Sequence, residues 1–373
     1  MKPIGLYIDF PFCLSRCSFC AFNIQGYREG FASRYADALQ KEIAVYADAP
    51  LWRDRVITTI YLGGGTPSLY PPEVLAGLVA LCRKRFPVAP DAEVTLEAHP
   101  ATIHSENLLP LREGGINRLS MGVQSFSDAH LEALGRRHTA EAARAAFAAA
   151  RAAGFANIGI DLIYALPDQS CSVWKATLQA AIDLAPEHLS LYGLSIEEGT
   201  LFDKKARAGL LSLPTEGGAI MQYQTAQARL GAAGYRHYEI SNFARPGYEC
   251  RHNLLYWDRG EVLGVGLSAH TYLDREHRAN TDSLQAYLEK IASGHLPVDR
   301  TEKVSQEMLR KDRIIFGLRK TEGIPLEFLE EDPSLRKTAD RLILEGLLLI
   351  DQQQVRLTPK GLLLADEVAV AFL

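Results

Sequence analysis

The sequence has no apolar run approaching the roughly 20 residues needed to span a bilayer. It also opens without a charged n-region followed by an apolar h-region: MKPIGLYIDFPFC passes straight into a strand-like run. From these two absences we expect a cytoplasmic chain. There is no surplus of positive charge either. Lys and Arg number 40 against 45 Asp and Glu, so the electrostatic footprint of a nucleic-acid binder is missing. Cysteine is scarce, six in 373 residues, and a reducing compartment argues against disulfides among them. Low-complexity tracts are missing, and the alanine-rich stretch 140–153 is simply good helix. What remains is ordinary globular composition, 47% apolar and 23% charged, on a chain long enough for two or three domains.

Apolar, β-branched runs at 4–10, 56–65, 93–100, 118–126, 157–167 and 188–196 alternate with helical patterns. That alternation predicts βαβ units and a parallel sheet. Several of the runs end in polar or glycine-rich segments: the cysteine loop, GGGTP, EAHP, GVQSF and DLIYALP. Functional residues at the C-terminal ends of successive strands suit a partial (β/α)6 TIM-like barrel better than an open sheet with one switch point. We therefore expect an α/β barrel domain over 1–235. A β-rich extension over 236–300 and a C-terminal helical, winged-helix-like domain over 301–373 follow it.

Three of the six cysteines crowd into FPFCLSRCSFCAF, as Cys13, Cys17 and Cys20, in a loop straight after the first strand. Three unrelated thiols, a zinc site and an iron–sulfur cluster all remain open at this point. Zinc favours four Cys or His ligands, and no fourth lies nearby in sequence. A four-iron cluster usually takes four cysteines. With three, one iron keeps an open position, which is the mark of a metal that reacts. Phe12, Phe19 and Phe22 beside the cysteines suit a shell that excludes water, or the packing of a strand end. Gly63-Gly64-Gly65-Thr66-Pro67 closes the second strand, where glycines allow close approach of a ligand or only a tight turn.

Taken with GGGTP, C-x3-C-x2-C after the first strand of a βα barrel resembles the radical S-adenosylmethionine (SAM) superfamily. The resemblance implies a 4Fe-4S cluster on Cys13, Cys17 and Cys20. Its open iron would chelate SAM, whose reduction yields a 5′-deoxyadenosyl radical. YIDFPFC, GGGTPSL, LEAHP, INRLSMGVQSF, LGRRH and DLIYALPDQ narrow it further. They are similar to the branch containing oxygen-independent coproporphyrinogen III oxidase (HemN), HemW-type heme chaperones and class C methyltransferases. By motif position, Tyr7, Phe19, Gly64, Gly65, Thr66, Glu97, Gln124, Arg136 and Asp161 are implied to border SAM or a second ligand beside it. Arg137 or His138 replaces Arg136 if the helix is phased differently.

Within that branch, Phe22 stands where the oxidases carry a fourth cysteine, and the oxidases' N-terminal extension is missing. RHNLLYW resembles the HNxxYW pattern of the heme chaperones and makes His252 a candidate heme ligand, neutral imidazole being a common axial ligand. The alternative is a core histidine among packed aromatics. The tail, FGLRKTEGIPLEFL through RLTPKGLLLADEV, is also similar to theirs. The resemblance thus implies a heme chaperone, with heme or a porphyrin as ligand and an acceptor heme protein as partner. It further implies an electron donor of flavodoxin or ferredoxin type and peripheral association with respiratory proteins at a membrane. The oxidase and the methyltransferase stand as alternatives, and no residue is assigned to catalysis. Two positions depart from the branch: Asp9 replaces a usual histidine, and Ala21 a usual aspartate.

Overall fold

The structure is a computed structural model describing residues 1–373, the side chain of residue 51 excepted. Six parallel strands lie side by side in chain order: β1 (Lys2–Phe10), β2 (Arg55–Gly64), β3 (Val88–Ala98), β4 (Arg118–Gln124), β5 (Ile158–Tyr164) and β6 (His188–Gly193). Helices connect them, as a parallel ladder requires. Among these, Ala140–Ala152 starts at Thr139, whose side chain accepts from the Ala142 amide, and Cys171–Asp183 starts on Ser170 in the same way.

The strands alternate in a way that most parallel strands do not. One set faces the helices: Ile4, Leu6, Ile8 and Phe10 of β1, Val94 and Leu96 of β3, Leu119, Met121 and Val123 of β4, Ile160 and Leu162 of β5. These pack with Tyr35, Leu39, Leu78 and Trp174 into one apolar core. The opposite set is polar: Asp9, Thr59, Glu93, Glu97, Arg118, Ser120, Asp161, His188 and Ser190. A curled sheet with a polar concave face is the partial barrel the sequence predicts. In β2 a bulge between Ile57 and Thr59 resets the alternation, so that Ile57 and Ile60 both reach the outer core.

Residues 236–300 do not stand apart from this sheet. β7 (Arg236–Glu239) and β8 (Asn242–Ala244) extend it antiparallel beyond β6. On the other edge β9 (Glu261–Val265) joins β1 in parallel. Beyond it β10 (His270–Leu273), β11 (Glu276–Asn280) and β12 (Val298–Lys303) form a meander. Phe243, Leu263, Val265 and Tyr287 bury in the same core as the barrel. Between the two sets, within the β-rich extension, Arg251–Trp257 forms a short helix that the sequence reading did not assign. The reason is distant in sequence: Glu93 on the concave face of β3 accepts from the amides of Arg251 and His252, both at 3.1 Å, and caps that helix.

The C-terminal module has its own core of Ile314, Leu318, Leu335, Leu342 and Val355. Helices Gln306–Gly317 and Pro333–Leu344 pack on a small sheet of β13 (Ile324–Pro325), β14 (Leu348–Asp351) and β15 (Gln354–Leu357). Among the described residues no helix is long and apolar enough to cross a membrane.

Candidate functional site

The C-terminal ends of β2 to β6 and the loop after β1 enclose a cavity of about 610 Å³. Cys13, Cys17 and Cys20 all line it, and none is paired in a disulfide. Their loop is held by Arg16, whose guanidinium donates to the carbonyls of Cys20 (3.1 Å), Phe22 (2.9 Å) and Ile24 (3.3 Å). The Ser18 amide ties it to Leu134. Burial pushes the Cys13 and Cys20 thiols up, so as free groups they stay protonated. A bound metal reverses that preference.

The residues present fit an iron–sulfur cluster. Three thiols share one cavity wall, and Arg136 places Nη1 3.5 Å from Cys17 Sγ. Thr66 Oγ1 lies 3.3 Å from Cys13 Sγ. Gly65 leaves the necessary room: a Cβ there would sit 2.8 Å from the Phe10 carbonyl, 2.9 Å from that of Phe12 and 3.1 Å from Cys13 Sγ.

Beside the thiols, Gly64 has φ +107°, a conformation that suits glycine, and a Cβ there would run into Asp9. The Gly64 amide donates to Glu97 Oε2 at 3.1 Å, and the Tyr61 hydroxyl to Oε1 at 3.0 Å. Burial raises the Glu97 carboxyl to about 7, with Asp161 adding to the rise and the two hydrogen bonds opposing it. Asp161 accepts from Ser120 Oγ at 3.2 and 3.3 Å, and burial raises it too. Arg136 Nη2 donates to the Gly122 carbonyl at 2.5 Å. His99 accepts the Ala101 amide on Nδ1 at 3.0 Å. Burial keeps its ring neutral, so Nε2 carries the hydrogen.

Phe19, Gly64, Gly65, Thr66, Glu97, Gln124, Arg136 and Asp161 therefore meet the three cysteines at one cavity. Arg137 also reaches its wall, while His138 bonds the Val123 carbonyl and stays off it. Two residues singled out in the sequence lie elsewhere. Tyr7 is stacked behind Tyr61, centroids 5.9 Å apart, and Tyr61 faces the cavity instead. His252 is 2% exposed on the capped helix, with Nδ1 2.8 Å from Thr59 Oγ1 and its ring 5.0 Å from Tyr61. Burial and Arg118 lower it to about 3, so it is neutral, and its Nε2 has no partner. Its neighbour Asn253 does reach the cavity. Asp9 is buried beside Tyr7 and Glu97, and burial raises its carboxyl well above the usual range. Sequence reasoning missed Tyr61, His99, Arg118, Ser120 and Tyr192 on the wall. The period-two pattern carries that signal for Arg118 and Ser120, which share a face with Gln124.

A partial barrel with three cysteines on the wall of a cavity at its strand ends defines the class, and the comparisons agree with it. The family model of the Radical SAM superfamily matches residues 7–181, and that of the HemN C-terminal domain residues 304–364. The chain is 38% identical over 373 residues to the heme chaperone HemW of Mycobacterium tuberculosis, covering 98% of this chain and 94% of that protein. To the heme chaperone HemW of Escherichia coli it is 33% identical over 384 residues, covering 100% and 99%. Coproporphyrinogen III oxidase (HemN) from Escherichia coli, a radical SAM enzyme, superposes with a TM-score of 0.86 at 27% identity, over 100% of this chain and 90% of that one. The chain belongs to the radical SAM superfamily and, within it, to the HemW family.

Proposed function

We propose that this chain holds a 4Fe-4S cluster on Cys13, Cys17 and Cys20, binds SAM beside it, and binds heme for delivery to acceptor heme proteins in the cytoplasm or at the membrane. The observation that carries the reading is full-length identity of 38% and 33% with two proteins named heme chaperones. Held by Cys13, Cys17 and Cys20, the cluster would supply one-electron reduction of SAM, with a flavodoxin- or ferredoxin-type protein as the electron source. The chain's own residues bind and orient. Arg136 offers a guanidinium fork to a carboxylate. Glu97 and Asp161 accept from an amine or from ribose hydroxyls. Phe19 and Tyr61 cover the ligand against water, with Tyr7 bracing Tyr61 from behind. His252 offers a neutral imidazole with a free Nε2, and heme reaches it only if the helix Arg251–Trp257 moves.

The test is a heme titration of anaerobically reconstituted protein, wild type beside His252→Ala, followed in the visible spectrum and then by transfer to an apo heme protein. Stoichiometric binding and transfer support the reading, and weakening in the variant supports His252. A second reading, the oxidase, is favoured by the likeness to HemN at 27% identity. Decarboxylation of coproporphyrinogen III by the same preparation, without heme binding, would replace the chaperone with the oxidase.

A further inference from the structure

On the floor of the cavity lies a guanidinium that Glu93, Glu97 and Asp161 influence electrostatically but that none of them contacts by a hydrogen bond or ion pair. Arg118 is 1% exposed, yet it lines the cavity. Its Nε has no hydrogen-bond partner, and Nη1 reaches only Thr95 Oγ1, at 3.4 Å. Among the described residues it forms no ion pair. The surrounding carboxylates favour its charge, but its hydrogen-bonding capacity is largely unused, and an anion entering the cavity would complete it.

The nearby carboxylates are each engaged elsewhere. Glu93 takes the Arg251 and His252 amides. Glu97 takes Tyr61 and the Gly64 amide. Asp161 takes Ser120 on both oxygens. Space is kept on the neighbouring strand as well: a Cβ at Gly159 would lie 3.4 Å from Arg118 Nη2. Above the guanidinium the wall turns aromatic and aliphatic, with Phe19, Tyr61, Ile163, Tyr192 and Leu194.

We propose that Arg118 is the anchor of a second carboxylate subsite, separate from Arg136. The ligand it takes carries a carboxylate on a flat or apolar body, with the carboxylate on the guanidinium and the body against the aromatic wall. Two sources share that chemistry: a propionate of a tetrapyrrole and the amino-acid carboxylate of a SAM-like molecule. The propionate source rests on the function proposed above. Two carboxylate positions in one cavity mean that a ligand is oriented by charge at its inner end, in water-excluded surroundings where such a contact is strong.

The test uses the reconstituted full chain and two ligand pairs: heme against heme dimethyl ester, and SAM against decarboxylated SAM. Each is titrated into wild type, Arg118→Gln and Arg118→Lys. Wild type should prefer the free carboxylate of one pair about ten- to hundredfold. Arg118→Gln should cut that preference about tenfold by weakening the free-carboxylate ligand more than the blocked one. Arg118→Lys, which keeps the charge and guards against a folding defect in the neutral variant, should retain part of it. The pair that responds identifies the source. If wild type binds neither heme nor its ester, the chaperone reading fails, and the SAM pair still decides on Arg118. If both preferences survive in Arg118→Gln at their wild-type size, the subsite does not exist.

Discussion

At the scale of single residues, the cavity is a collection of groups that burial has pushed toward their neutral forms. The Cys13 and Cys20 thiols are the clearest case, because a bound metal is what stabilises neighbouring half-buried thiolates together. Cys17→Ser should therefore lose nearly all bound iron and the cluster's visible absorption, with the far-UV spectrum unchanged; iron and sulfide analysis after reconstitution checks it. Outside the cavity, Glu42 is fully buried, receiving Tyr287 at 2.6 Å, Asn280 at 2.9 Å and the Gly266 amide at 2.9 Å. Burial raises it to about 7 despite those donors. Between its ordinary value of 4.5 and 7 the folded chain then binds more proton than the unfolded chain. Stability must fall as pH rises through that window, by up to about 1.4 kcal/mol per pH unit, and level off above it. Glu97 acts in the same sense, so the difference between wild type and Glu42→Gln isolates this group. Denaturant unfolding at pH 5, 6, 7 and 8 should show a shallower slope in the variant. That the cysteine trio and GGGTP would share one cavity was legible because each motif is local in sequence and ends a strand. Tyr7 was not legible as the rear member of a pair. It lies opposite Tyr61 in the β1–β2 register, and only the curl of the sheet decides which ring meets the cavity.

At the scale of elements, strand ends and one short helix do the positioning. Gly65→Ala should push the Phe10–Cys13 segment outward and weaken iron retention more than it lowers the melting temperature; parallel iron assays and thermal scans measure both. The helix Arg251–Trp257 depends on Glu93 for its N-terminal capping. Glu93→Gln keeps an acceptor but loses the charge, and should destabilise the fold by about 1–2 kcal/mol in denaturant unfolding. The six central strands could be read because their β-branched runs alternate with helices. The edge strands could not be assigned by the same means. β9 pairs with β1 across more than 250 residues of chain, and local propensity holds no record of that partner. The same holds for the capped helix, whose stabilising carboxylate sits on β3.

At the scale of the whole molecule, two cores are joined through the segment that carries His252. Lys320 meets Asp258 at 2.5 Å, and Arg259 donates to Asp312 at 2.8 Å while lying 3.5 Å over the Tyr272 ring. Arg319 sits over Trp257 at 4.5 Å. Arg259 is nearly buried, so its loss strands Asp312 without a cation. Arg259→Ala should cost about 2–4 kcal/mol and split calorimetric unfolding into two transitions, one for each core. A single transition at the wild-type temperature would show that the cores are coupled by other contacts.

The claim on which all the rest depends is that three cysteines here hold a cluster with one iron open to SAM. Its most direct measurement is electron paramagnetic resonance of the anaerobically reconstituted, reduced protein, with and without SAM. The expected result is a reduced four-iron signal that changes on adding SAM and disappears in Cys17→Ser. A preparation containing zinc without iron or sulfide, or a cluster signal indifferent to SAM, would contradict it.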